Sequence, residues 1–206
     1  MEIDYGKLTH PELDALKEIG NIGAAHAATA LSQLIKRKIL INVSSIRTIP
    51  VAEIAGIGGG DSAEVALFHV QMLGDLLGII LIIMRRKEAI CFARMLKGGS
   101  CPAGADLGEA EISTLRQAGS ILASSYLNSI GEFLGLSLIP SAPALSFGAM
   151  GSLLDASLRD LTGRARIAFC IETEYIEETS SVRGHFLLFP DVGSAAKILK
   201  GLGFSH

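Results

Sequence analysis

The second half of this chain repeats the first. Leu16, Gly20, Ile22 and Ala24 recur as Leu115, Gly119, Ile121 and Ala123, each 99 residues further on, and ARMLKG at 93–98 recurs as AKILKG at 196–201, 103 residues on. Matches in the same order, with about four residues inserted near the end, mark an internal duplication of roughly 100 residues. The two copies run from about 10 to 99 and from about 108 to 204. Each alone offers one long helix, about three strands and one shorter helix, a thin core for roughly 90 residues. The expectation is therefore one domain over residues 1–206 with pseudo-twofold symmetry.

The periodicities assign the elements. From His10 to Ile35, apolar residues recur at three and four spacing (Leu13, Leu16, Ile19, Ile22, Ala27, Leu31, Leu34), with Thr9 available as a cap and Glu12 three residues on, so a long helix is predicted. Strands are predicted over Ile39–Ile49, Ala63–Met72 and Leu76–Met84, with a hairpin turn at Gly74-Asp75. A helix over Lys87–Lys97 ends at Gly98-Gly99. Residues 100–108 (SCPAGADLG) read as a linker. The second half predicts a helix over Glu109–Leu134, a strand at Leu136–Ile139, a short helix at Gly151–Leu161, strands near Arg166–Ile176 and Val182–Phe189, and a last helix over Gly193–Leu202. Short turns between strands imply a largely antiparallel sheet, with two long helices and shorter ones packed over one face: an α/β fold of the α+β kind.

Composition narrows the function classes. With 49% hydrophobic and 19% charged residues the chain is too apolar to be disordered. A net charge of -3, no Trp and 5% aromatic residues leave a nucleic-acid surface unsupported. The longest apolar run, Leu76–Met84, is nine residues against the roughly 20 of a membrane-spanning helix, and reads as a buried strand, so no membrane insertion is expected. MEIDYGKLTH lacks an export signal, and a cytoplasmic protein is expected. The three cysteines (Cys91, Cys101, Cys170) form no CxxC pair and indicate neither a disulfide framework nor a zinc site, with Cys91 and Cys170 read as core. The five histidines are scattered and no bound metal is expected. GIGGGD at 56–61 lacks the Lys-Ser/Thr of a phosphate-binding loop and reads as a flexible turn. No GxSxG elbow is present.

Candidate chemistry concentrates on the first helix. Asp14, Glu18 and Asn21 fall at i, i+4 and i+7, on one stripe. A carboxylate pairs with a cation, and an amide both donates to and accepts from water, so the pair Glu18 and Asn21 can dock a basic group and orient a nucleophile. The amide cannot act as a general base. By itself such a stripe is the solvated face of an amphipathic helix. Gly20 and Gly23 argue for more, since each Gly costs about 1 kcal/mol in a helix interior, and they imply either a closely approaching backbone or an exposed docking surface. The repeat returns to the same stripe with Ser113, Gln117 and Ser120. On the short helix of the second half, Asp155, Arg159 and Asp160 form a charged face that is either solvated or a partner surface.

The run LDALKEIGNIGAAHAATALSQLIKRKI resembles the opening helix of the CheC family of chemotaxis response-regulator phosphatases, with their CheX-like and FliY-like relatives, and ILASSYLNSIGEFLGLSLIPSAP resembles the family's second copy. The resemblance spans the whole chain. The family motif is Asp or Ser, three residues, Glu, two residues, Asn, then 22 residues and Pro; Asp14, Glu18 and Asn21 match it, while its Pro position is Ser44. The second copy matches at Ser113 and Pro143 but reads Gln117 and Ser120 at the two functional positions. What the resemblance implies is one working site, Glu18 and Asn21 supported by Asp14, and a decayed second one.

The activity so implied is hydrolysis of the aspartyl phosphate on a phosphorylated CheY-type response regulator. The receiver supplies the phosphorylated Asp, its Mg²⁺ and a Lys; the phosphatase, with no cofactor of its own, supplies a Glu that pairs with the Lys and an Asn that holds the attacking water. CheD is a family partner, expected near the Asp155 helix. The alternative is a non-catalytic module that binds a phosphorylated regulator, CheD or a flagellar switch component.

Overall fold

The computed structural model describes residues 10–101, 106–159, 167–177 and 180–201. The first half contributes α1 (His10–Ile35), β1 (Leu40–Pro50), a 3-10 turn (Val51–Glu53), α2 (Ile54–Gly58), β2 (Glu64–Gly74), β3 (Gly78–Arg85) and α3 (Arg86–Lys97). The second contributes α4 (Glu109–Leu134), β4 (Leu138–Pro140), β5 (Ala144–Ala149), α5 (Met150–Leu158), β6 (Ile167–Glu177), β7 (Ser180–Pro190) and α6 (Val192–Gly201). The long helices and the hairpin strands lie within a few residues of their predicted limits. Thr9, the expected cap of α1, lies outside the described residues.

All seven strands join one antiparallel sheet, ordered β1-β6-β7-β3-β2, with β4 and β5 both on the outer edge of β2. This order reads the same from both ends when β1 is matched with β4/β5, β2 with β6 and β3 with β7. Each half's first strand thus pairs with the other half's hairpin: β1 with β6, β5 with β2. The halves meet at the sheet centre, where β3 pairs with β7. Ile79 to Met84 are all buried there, which explains the uninterrupted apolar run: this strand is covered on both faces.

That double cover corrects the expectation of helices over one face only. On one side α1, α3 and α4 close a core containing Leu31, Phe68, Ile82, Phe92, Leu122 and Tyr126, with Phe92 against Tyr175 (ring centroids 4.7 Å) and Tyr126 against Phe186 (4.3 Å). On the other side α2 and α5 bring Ile54, Met150 and Leu154 onto Leu67, Leu81, Leu187 and Phe189. Hydrophobic periodicity shows that a helix has a buried face; it does not show which side of the sheet that face meets.

Two further expectations change. Gly56–Gly58 of the glycine-rich segment are helical, ending α2, and Gly59 terminates it at φ +106°. Cys91 and Cys101 form a disulfide, Cα atoms 4.9 Å apart, because Gly98 ends α3 in the left-handed region and turns the chain back along it. Cys91 is accordingly only half-buried, whereas Cys170 is core as expected. The described ends of the linker are fastened to α3, the far one through Arg86 and Asp106 (2.8 Å).

Because β1 and the outer edge of β2 depend on strands of the other half, a fragment of residues 1–99 is expected to show no cooperative thermal transition as a monomer. Circular dichroism of that fragment checks this; a cooperative transition in a monomeric sample would contradict the requirement.

Candidate functional site

Asp14, Glu18 and Asn21 all stand exposed on α1. At 1.5 Å rise per residue the stripe is about 10 Å long. Neither the Glu18 carboxylate nor the Asn21 amide has a hydrogen bond or ion pair to any other described residue, so both are available to a partner. The like charges of Asp14 and Glu18 at i, i+4 add a mild repulsion that an incoming cation would relieve.

What holds the stripe is the packing beneath it. Gly20 and Gly23 are buried. A Cβ on Gly20 would lie 2.6 Å from Ile46 Cδ1 of β1, and one on Gly23 would lie 2.7 Å from Tyr126 Cδ1 and 3.2 Å from the Tyr126 Cα of α4. Of the two readings open from sequence, close backbone approach is observed at Gly23, while at Gly20 it is the Ile46 side chain that closes in. Asn21 therefore sits on a helix segment pressed onto β1 and α4 at once, with its side chain on the outer surface.

The second stripe repeats part of this arrangement, with Leu122 at the position of Gly23. Ser113, Gln117 and Ser120 are exposed on α4, and Gly119 beneath them is held against Phe68 of β2, 2.6 Å from a Cβ placed there. The frame is present, but a neutral amide and a hydroxyl replace the carboxylate and the longer amide.

The motif's proline position has a structural meaning that spacing alone did not supply. In β1, Val43 pairs with Thr173 and Ser45 with Glu172, so Ser44 is the extra residue of a bulge. On the opposite edge of the sheet, Pro140 pairs with Met72 and Ala144 with His69, so residues 141–143 face only two residues of β2. Gln71 closes that break, its N–H donating to Ser141 Oγ and its carbonyl accepting from the Ser141 N–H, both at 2.9 Å. One surplus residue thus falls at 44 and one at 141–143. A bulged residue has no ladder bond to give, so proline fits there without loss, and β1 keeps its bulge with Ser44 instead.

Elsewhere the chemistry is quiet. Among the described residues no group of three or more His, Cys, Asp or Glu is placed to hold a metal ion. No helix among them is long and apolar enough to cross a membrane. Burial pushes the Cys170 thiol up to about 11. Ser124 and Ser125 lie within α4. Asp155 and Arg159 are exposed at the end of α5, across the sheet from α1, and Asp160 lies outside the described residues.

Residues 12–43, which carry the stripe, match the model of the CheC-like family. The chain is also 32% identical over 205 residues to the CheY-P phosphatase CheC of Bacillus subtilis (strain 168), covering 98% of both chains. The chain belongs to the CheC-like family. The fold agrees: a crystal structure of FliY from Thermotoga maritima superimposes with a TM-score of 0.78 at 23% identity, covering 95% of this chain and 98% of that one. The FliM middle domain from H. pylori gives 0.68 at 13% identity, over 94% and 99%. The CheC-like fold is thus shared with FliY and the FliM middle domain.

The two glycines under Asn21 are expected to differ in tolerance. Gly20→Ala meets only the tip of a flexible isoleucine, and its gain in helix propensity offsets the contact, for a net change within about 0.5 kcal/mol. Gly23→Ala meets a ring and a backbone atom, and is expected to cost about 1–2 kcal/mol. Urea unfolding of both variants checks this; the reverse order would contradict the packing described.

Proposed function

We propose that this protein hydrolyses the aspartyl phosphate of a CheY-type response regulator, with Glu18 as the docking carboxylate, Asn21 as the residue that holds the attacking water, and Asp14 in support. The observation that carries the reading is the full-length similarity to a CheY-P phosphatase together with an exposed, unengaged Glu and Asn on the matching helix. The partner is the phosphorylated regulator; CheD, at the exposed end of α5, is a second candidate. A cytoplasmic location and a place in chemotaxis signalling go with this reading. The chain is taken as one domain of two homologous halves, about 10–99 and 108–204, a view supported by the palindromic strand order.

The chemistry follows from what each group can do. Glu18, a fixed negative charge on a rigid helix, pairs with a cation beside the partner's phosphorylated carboxylate and brings Asn21 over the phosphorus. The Asn21 carbonyl accepts a hydrogen bond from a water and its NH₂ donates one, which aligns the water with the bond to be broken. The water oxygen bonds to phosphorus as the bond to the aspartyl oxygen breaks. Free carboxylate and inorganic phosphate leave, and the water's proton passes to the phosphate oxygens, because the amide cannot take it. Charge neutralisation at the phosphoryl group comes with the Mg²⁺ that the receiver carries, so this chain needs no cofactor of its own. Phosphoryl transfer depends mainly on such positioning and electrostatics.

This division of labour separates the two residues by experiment. Asn21→Ala is expected to reduce receiver dephosphorylation about 100-fold or more, while receiver binding persists and stability changes by less than about 0.5 kcal/mol. Glu18→Ala is expected to weaken receiver binding. Full activity in Asn21→Ala would remove the proposed site. If both variants matched a wild type that binds but does not hydrolyse, the non-catalytic binding module would be the better reading.

The second stripe has the frame without the groups. Gln117→Glu combined with Ser120→Asn is expected to raise the dephosphorylation rate in an Asn21→Ala background. No gain in a folded triple variant would show that the loss at α4 involves more than these two side chains.

A further inference from the structure

On the α2/α5 side of the sheet, away from both helical stripes, three cations of three different elements line one cavity of about 290 Å³: Arg85 at the end of β3, Lys87 in the first turn of α3, and Arg183 of β7. Three other cations are paired, Arg37 with Glu177, Arg86 with Asp106 and Lys97 with Glu111. Arg85, Lys87 and Arg183 make no ion pair with any described residue. The cavity has two carboxylates of its own, and both are engaged: Glu88 accepts a hydrogen bond from the Arg183 N–H at 3.1 Å, and Glu172 accepts one from Ser45 Oγ at 3.1 Å. His185 also lines it, 3.9 Å from Glu172. Burial holds this imidazole below its ordinary value, with Glu172 pulling the other way.

The local backbone accommodates the cluster. The Arg85 guanidinium lies against Gly59, where a Cβ would stand 3.0 Å from Nη2, so the glycine-rich segment that matches no nucleotide motif leaves room for this side chain. No side chain caps α3 at Arg85, and the helix adds its partial positive charge at the same mouth. Three cations against the two carboxylates Glu88 and Glu172 leave this small enclosure with a net positive charge in a protein whose net charge is -3, and an anion is drawn to it.

We propose that this cavity is a binding site for a small dianionic oxyanion, inorganic phosphate or the phosphate of a small monoester, held by Arg85, Lys87 and Arg183. Two guanidinium forks and an ammonium match the several oxygens of a tetrahedral dianion. The volume excludes a large ligand.

The test is a ¹H–¹⁵N NMR titration of the full chain with inorganic phosphate and, in parallel, glycerol phosphate, at constant ionic strength set with sodium chloride. Saturable shifts confined to the amides of residues 57–60, 85–88 and 183–185 are expected, with chloride giving none. Tighter binding of the monoester would support a phosphorylated metabolite as the source, and equal binding free phosphate. Arg183→Ala and Lys87→Glu, both at exposed positions, are each expected to weaken binding about tenfold or more, whereas Asn21→Ala leaves it unchanged. Shifts that grow linearly with phosphate, shifts spread over the Lys36 and Lys38 surface, or unchanged affinity in both cavity variants would overturn the proposal. So would saturable binding of an acidic peptide where phosphate does not bind, which would make the cluster a protein-docking surface. Because Asn21 plays no part, the outcome is independent of the reading of α1.

Discussion

Each half of the chain completes its sheet with a strand from the other half, and the rest of the molecule depends on that exchange. Among the described residues β1 finds its ladder on β6, and β5 finds its own on β2. The central β3–β7 pair, buried on both faces, then welds the two hairpins together. A sheet assembled in this way can be covered by α1 and α4 only if both lie beside each other over its middle, which puts Gly23 of one against Tyr126 of the other. The outward stripes of the two helices are consequently presented on one side of the domain by a rigid layer, and neither is built on a loop.

That rigidity matters because the proposed chemistry asks little of the residues except position. An amide that orients water contributes only while its backbone stays still against an incoming partner. The buried glycines under Asn21 and the bulge at Ser44 in β1 provide such a base: Gly20 lies against Ile46, two residues beyond the bulge. The second stripe shares one of these contacts, Gly119 against Phe68, has Leu122 at the position of Gly23, and differs at its functional tips.

Much of this was legible from residues alone. Three-and-four spacing located α1, α3 and α4, and the run Leu76–Met84 located the central strand, because those signals reflect burial that the fold then supplies. β5 was not legible: ALSFGA, after two prolines, received no assignment from its pattern, and the ladder with β2 makes it a strand. The five residues of α2 were hidden for a related reason, since glycines do not announce a helix that is held by packing of Ile54 against the second face. The Cys91–Cys101 bond depends on a chain reversal after Gly98 that cysteine spacing does not encode. The stripe of Asp14, Glu18 and Asn21 was readable as a pattern, and its exposure follows from the helix phase. The cavity around Arg85, Lys87 and Arg183 was not readable, because Arg183 joins the other two only through the β3–β7 pairing.

The exposed carboxylate and amide on α1 are proposed to turn a bound receiver into a substrate. The decisive experiment follows the first-order decay of a phosphorylated CheY-type receiver in the presence of Mg²⁺ over a range of concentrations of the wild-type protein. The decay constant is expected to rise and saturate, with one inorganic phosphate released per phosphorylated receiver. A decay constant that stays at its intrinsic value while the receiver binds saturably would contradict that role.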